Sequence, residues 1–218
     1  MASAVAASAI LVAFTVSPGE AGARSGPNLH RFEFARPAMG TVARVIVYAP
    51  DVDRAAAAAA RAFDRIMALE RVFSDYRADS EARRLAAKPP NAWHPVGADL
   101  FRLLARAQAI AEASGGAFDV TAGSVFAVWR RARRLAEPPD TAALAAARAA
   151  GGFRRLDLDP HHRRVRLRAR GMRLDFGGIA KGDAANEALR VLRASGLPRA
   201  LVAIGGDLAA GDPPPDRA

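Results

Sequence analysis

Residues Leu174–Gly182 read LDFGGIAKG, and the rest of the chain can be ordered around them. The alternating apolar positions of Met172–Phe176 predict a short strand that carries Asp175 near its end. Gly177 and Gly178 follow, where backbone without a Cβ lets a bulky ligand come close. Ile179-Ala180-Lys181-Gly182 then opens a helix, whose unpaired N–H groups and positive dipole end suit a phosphate. Familiar glycine loops fail on their residues. A Walker loop needs Ser or Thr after the lysine, and Gly182 follows Lys181. No GxGxxG follows a strand, and Asp175-Phe176-Gly177 lacks the other kinase elements.

Upstream of this stretch, after Gly151-Gly152, the period is that of strands: Phe153–Leu158, a turn at Asp159-Pro160-His161, then Val165–Arg168 and a turn at Gly171. His161 and His162 are adjacent and would face opposite ways on a strand, which disfavours metal ligation. Downstream, Ala184–Ala194 reads as helix with Leu189 and Leu192 as core, and Arg199–Ile204 as a buried strand. It runs into Gly205-Gly206-Asp207, a second glycine turn with a carboxylate. The sequence from Gly211 to Pro215 has nothing to pack.

In the first half, Phe32 and Phe34 alternate with polar residues in Arg31–Arg36, and Thr41–Tyr48 is a β-branched second strand. Pro37-Ala38-Met39-Gly40 breaks the two, giving a hairpin or a bulge with Met39-Gly40 at the bend. Met39 there either fills a core gap or projects into a pocket. Asp51 caps a helix over about Val52–Val72, with Phe63, Ile66, Met67 and Glu70 at helical spacing and Ala55–Ala60 as a thin packing face. In Phe73-Ser74-Asp75-Tyr76, either Phe73 and Tyr76 close a core corner, or Tyr76 offers a ring for stacking at the mouth of a site. Ser80 caps a short helix through Leu85, and Lys88–Asn91 is a loop. From Asp99 a helix carries Leu100, Leu103, Leu104, Ala107, Ile110 and Ala111 as one stripe, stopped by Ser114-Gly115-Gly116. Ala117–Thr121 follows as an extended pentapeptide with Asp119 and Thr121 on one side. The next helix carries Val125, Val128 and Trp129 and ends in Arg130–Arg134, read as a solvated face; Glu137–Asp140 links it to a helix over Thr141–Ala150.

The 218 residues, half of them hydrophobic, suffice for a real core. The net charge of +10 is almost all arginine, since Lys88 and Lys181 are the only lysines. No basic cluster is interleaved with exposed aromatics, so nucleic acid is not an expected partner. The lack of cysteine excludes disulfides, thiolate zinc, a cysteine nucleophile and a lipid-anchored cysteine. Ala4–Val16 is an apolar run followed by Ala21-Gly22-Ala23, the h-region and cleavage pattern of a secretory signal, although Lys and Arg are missing before it. It is too short for a transmembrane span. The expectation is a cleaved signal over residues 1–23, an exported periplasmic protein, one domain over 24–212, and a tail over 213–218.

Five stretches occur in order: Ala38–Thr41; Phe73–Tyr76 with Ser80-Glu81; Gly116–Thr121; Leu174–Gly182; and Gly205–Asp207. Together these resemble the ApbE family, the FAD:protein FMN transferases, over about Phe34 to Gly211. The resemblance implies an α+β fold, a T-fold-like mixed sheet packed with helices. It implies FAD as substrate, Mg²⁺ as metal, and transfer of FMN to a threonine hydroxyl of a target flavoprotein with release of AMP. A homodimer is compatible with it. Residue by residue, Met39 matches the methionine that contacts the flavin and Tyr76 the tyrosine that packs on it. Ala117, Phe118 and Asp119 match the segment bordering FAD. Gly177 falls where backbone approaches the pyrophosphate, and Ala180 where a main-chain carbonyl helps bind the metal. Asp175, Lys181 and Asp207 are the charged groups placed to serve that chemistry. Asp183 stands where the family usually has tyrosine, and would have to face metal or solvent. The family's later segments, with further metal ligands, are not found after Asp207. The expectation is therefore an N-terminal part with its C-terminal portion missing, whose alternative function is FAD binding without transfer.

Overall fold

The computed structural model describes residues Asn28–Pro215. The expected signal and its cleavage site, and the last residues of the expected tail, lie outside the described residues. The chain divides into two compact units, one formed by residues up to Ala68 together with those from Lys181 onward, the other by Leu69–Ala180.

The first unit holds a four-stranded antiparallel sheet of order β1-β2-β6-β7, built from β1 (His30–Ala38), β2 (Thr41–Ala49), β6 (Ala200–Ile204) and β7 (Asp207–Ala210). β1 and β2 pair from His30–Ala49 to Ala38–Thr41, so Met39 and Gly40 alone form the turn. Their φ values of 52° and 72° are both positive, as a type I′ hairpin turn requires and as the right-handed strand twist favours. Of the two sequence readings, the hairpin is the one adopted, and Pro37 stays within the strand. One face buries Phe32, Phe34, Val45, Val47, Val202 and Ile204, in period two.

Two helices belong wholly or mostly to this unit. Helix α1 (Val52–Phe73) begins at Asp51, whose Oδ1 accepts the Arg54 N–H at 2.8 Å. It buries Ala55, Ala58, Ala59, Ala62, Phe63 and Ile66, but Met67 is 42% exposed, off the stripe that its spacing predicted. Helix α6 (Ala180–Ala194) buries Ala184, Ala185, Ala188, Leu189 and Leu192. Arg65 of α1 and Glu187 of α6 form an ion pair at 2.5 Å, and the Arg36 guanidinium stands 5.2 Å over the Phe63 ring. β7 was not anticipated; Gly205-Gly206 is a two-residue turn that sends the chain back along β6. Nor is the following segment idle: the Gly211 N–H donates to Ala200 O at 2.7 Å and Asp212 N–H to Pro198 O at 2.9 Å.

The second unit holds α2 (Glu81–Ala86), β3 (His94–Pro95), α3 (Ala98–Ala113), α4 (Gly123–Leu135), α5 (Thr141–Ala150), β4 (Leu156–Asp159) and β5 (Arg164–Leu167), with a small antiparallel sheet of order β3-β5-β4. Ser80 caps α2 through its side chain, as its position predicts, and Asp140, read as part of a linker, caps α5 in the same way. α3 buries Leu100, Leu103, Leu104, Ala107 and Ala111, while Ile110 is exposed. Trp129 of α4 is also exposed, and Phe153–Arg155 is a 3-10 turn rather than the start of a strand.

Met172–Phe176 is not a strand. It buries Met172, Leu174 and Phe176 alternately, as an extended strap, but its only bridge is a single parallel one from Arg173 to Ala122. Ala117–Thr121 likewise forms bends and turns instead of extended chain. Among the described residues no helix is long and apolar enough to cross a membrane.

Candidate functional site

The strap is what positions the glycine turn. Asp175 N–H donates to Val120 O at 2.8 Å, and Gly123 N–H to Arg173 O at 3.1 Å, fixing the strap against the segment between Asp119 and α4. Asp175 then closes on its own backbone: Oδ1 accepts the Gly177 N–H at 2.8 Å, an Asx turn. Ile179 and Ala180 N–H groups both return to Phe176 O, at 2.9 and 2.8 Å, and α6 begins. Gly177 and Gly178 are exposed, and a Cβ on Gly178 would stand 3.3 Å from the Phe118 ring. The glycines therefore serve two ends: an open backbone at Gly177, and close approach of the Phe118 ring at Gly178.

The Asp119 carboxylate builds the neighbouring loop. Oδ1 accepts from Thr121 N at 2.8 Å and Thr121 Oγ1 at 2.7 Å, so carboxylate and hydroxyl do share a side. Oδ2 accepts the Phe153 N–H at 2.9 Å, and Thr121 Oγ1 accepts the Gly152 N–H at 2.8 Å. These bonds bracket the loop to the 3-10 turn and leave exposed Ala117 and half-buried Phe118 at its rim.

After α1, Ser74 Oγ accepts the N–H groups of Tyr76 and Arg77 at 3.3 and 3.2 Å, forming the expected turn. Phe73 is buried, with its ring 5.8 Å from that of Phe176, but Tyr76 closes no core corner: it is 81% exposed. Sequence reasoning missed the residue that joins these pieces. Arg130 Nη1 lies 2.5 Å from Asp75 Oδ2, and Nη2 lies 2.6 Å from Asp175 Oδ2, while the guanidinium carbon sits 5.1 Å from the Tyr76 ring centroid. Arg130 thus leaves the solvated face assigned to Arg130–Arg134, and nothing in that run distinguishes it beforehand. Asp175 is also more committed than its predicted catalytic role assumes, with one oxygen on Gly177 and the other on Arg130.

Charge in this unit is positive on balance. Burial draws the Arg130 guanidinium down, but the hydrogen bond and charge of Asp75, then Asp175, outweigh it and hold it above its usual value. Arg173 is held below its usual value by burial first, then by Arg83 and Arg130. Arg130 and Arg173 thus both interact with Asp75 and Asp175 beside the glycine turn.

The other predicted residues gather in the first unit. The Met39-Gly40 and Gly205-Gly206 turns lie at the same end of the sheet, where Gly205 N–H reaches Val42 O at 3.4 Å. A Cβ on Gly205 would stand 3.5 Å from Thr41 and 3.7 Å from Lys181 Cδ, and one on Gly182 would stand 3.3 Å from Asp207 Oδ1. Thr41 and Lys181 thereby flank the Gly205 turn, and Asp207 stands against Gly182 in the first turn of α6. Asp183 is 3% exposed, so of the two expected orientations, toward metal or toward solvent, it does not take the second; in the first turn of α6 a negative charge complements the helix dipole. Ala180 is buried in the same turn.

Among the described residues no three His, Cys, Asp or Glu side chains gather to hold a metal. Magnesium requires several hard oxygens in near-octahedral array, and the Ala180 carbonyl alone does not provide them. The described residues do not fit a complete magnesium site.

The chain is α+β, and its second unit carries an exposed glycine turn, an exposed tyrosine ring and an arginine bonded to two carboxylates. The ApbE family model matches residues 39–218, and the chain belongs to that family. It is 34% identical over 210 residues, 91% of this chain and 56% of the relative, to the FAD:protein FMN transferase of Treponema pallidum. Among solved structures, the flavinyl transferase ApbE of Pseudomonas stutzeri superposes with a TM-score of 0.75 at 28% identity, over 86% of this chain and 58% of that one. The flavin transferase ApbE of Vibrio cholerae gives 0.78 at 21% identity, over 87% and 62%, which bears on the fold alone. The chain spans little more than half the length of the relatives it matches.

Proposed function

We propose that this chain carries the flavin-binding machinery of an FAD:protein FMN transferase and takes part in moving FMN from FAD to a threonine hydroxyl of a target flavoprotein. The observation that carries the reading is the exposed Gly177-Gly178 turn, which leads into α6 beside the Phe118 ring and the Arg130 cluster. An open backbone and a helix N-terminus suit a pyrophosphate, and exposed or rim aromatics suit the flat rings attached to it.

In this reading the acceptor threonine oxygen forms a bond to the FMN phosphorus, and the P–O bond to the adenylate phosphate breaks. AMP leaves with that electron pair, and the hydroxyl proton passes to water. The chain's part is placement and charge: such transfers gain most from holding reactants in line and stabilising charge on the phosphate. In the second unit Tyr76 takes the flavin rings, Ala117 and Phe118 border the ligand, and Asp119 keeps that border in place. Asp175 shapes the turn on which Gly177 sits. Met39, Lys181 and Asp183 belong to the first unit and keep the roles that the family resemblance implies. Magnesium dependence and an exported, periplasmic setting belong to the same reading, with no step here drawn through the metal.

The test combines the full chain, FAD, Mg²⁺ and a flavoprotein domain bearing an acceptor threonine. Flavin attached covalently to that domain, with AMP in solution, supports transfer. Retention of FAD without AMP release supports the narrower binding role. Failure to retain FAD at all removes both.

A further inference from the structure

Four arginines of α4, Arg130, Arg131, Arg133 and Arg134, lie close in sequence, and the last three are exposed. Arg130 alone turns inward, with its side chain 27% exposed and its partners Asp75 and Asp175 at 16% and 15%. One planar fork therefore clamps the turn after α1 to the turn before α6. Two charge-assisted bonds on a rigid guanidinium fix both position and orientation. The same plane lies 5.1 Å from the ring centroid of Tyr76, which packs on little else, being 81% exposed. An exposed tyrosine without such support would sample several rotamers, and ordering it would weaken binding of anything that stacks on it.

We infer that Arg130 is the positioning residue of the flavin platform, holding the Tyr76 ring and the Gly177 turn in one fixed relation. A flat ring system then stacks on the open face of Tyr76 while its phosphate meets the glycine turn. Arg130 acts through these groups and does not touch the ligand. Lysine is not an equivalent replacement, because its ammonium lacks the rigid planar fork that reaches Asp75 and Asp175 with fixed orientation. This inference rests on the flavin reading above.

The test uses the full chain as wild type, Arg130→Lys, Arg130→Ala and, as a control on the same helix, Arg134→Ala. Dissociation constants are measured for FAD, FMN and AMP, alongside thermal unfolding. Both Arg130 variants are expected to weaken FAD and FMN by about tenfold, the worth of one lost stacking contact. AMP should change by no more than about twofold, as for a group uncoupled from the adenylate half. Arg134→Ala should match wild type, and adding Tyr76→Ala to Arg130→Lys should cost nothing further. An Arg130→Lys protein that binds FMN as wild type does would overturn the inference, as would equal losses for FMN and AMP, the mark of a merely structural residue. Should Arg130→Ala fail to fold, Arg130→Lys and its double variant decide. A wild type that takes up no FAD overturns the flavin reading, and this inference with it.

Discussion

The amide of Gly123 donates to the carbonyl of Arg173 at 3.1 Å, and a Cβ placed on Gly123 would stand 2.6 Å from that oxygen. The obstacle is backbone, which cannot swing aside as a side chain end can. Replacing Gly123 with Ala should push the strap off the start of α4, at a cost of about 1–3 kcal/mol, the usual range for overpacking. Urea unfolding of the variant measures it. A midpoint equal to wild type would mean that the strap tolerates displacement.

Asp119 satisfies three donors from two segments, Thr121 N, Thr121 Oγ1 and Phe153 N. Asp119→Ala leaves them without that acceptor and should destabilise the chain by about 1–3 kcal/mol, as for loss of a partner in a partly buried network. Asp119→Asn retains one oxygen but turns an amide toward a donor, so thermal unfolding should place it between wild type and Ala. An unchanged melting temperature for both would show that the bracket carries no energetic weight.

Tyr76 offers a contrasting expectation. At 81% exposure its ring adds little to folding, so Tyr76→Ala should unfold at the wild-type temperature. FAD affinity should nevertheless fall by about tenfold, an aromatic stacking contact's worth. Flavin fluorescence titration reads the affinity; undiminished binding would remove Tyr76 from the site.

Charge pairing on the small sheet predicts an acid response. Asp157 faces Arg166 and Arg168 at 2.7 and 2.6 Å; burial pushes its carboxyl up, but the hydrogen bonds from Arg168 and Arg166 hold it below the ordinary 3.8. A carboxylate with a depressed folded value stabilises fully above its unfolded value and loses that contribution as pH falls below it. Stability should therefore decline below about pH 4, and Asp157→Asn should flatten the decline. An identical acid limb in that variant would show that other carboxylates govern it.

How much was legible in the sequence depended on whether the signal was local. Asp51 and Ser80 cap their helices as read, because a cap is a contact two or three residues long. The strands on either side placed Met39-Gly40 at the bend, and only the pairing of β1 with β2 decided for a hairpin over a bulge. Partner-dependent features were hidden. Arg130 sits in an arginine-rich helix end like its neighbours, and only Asp75 and Asp175, distant in sequence, distinguish it. Met67, Ile110 and Trp129 lie at helical spacing yet emerge exposed, because periodicity defines a stripe and not its width. Met172–Phe176 has a strand's alternation but finds only Ala122 to bridge, so the pattern of burial was right and the ladder was not. β7 escaped because Asp-Leu-Ala-Ala has little intrinsic strand preference and pairs by virtue of the Gly205-Gly206 turn.

The most direct test of the account follows one reaction by two readouts, the intact mass of a target flavoprotein domain and the AMP released from FAD. The account predicts that the target gains the mass of FAD less AMP, one FMN minus a water, that this gain is lost on replacing its acceptor threonine, and that AMP appears in equal amount. An unmodified target with no AMP, under conditions where the chain holds FAD, would contradict transfer and leave binding alone.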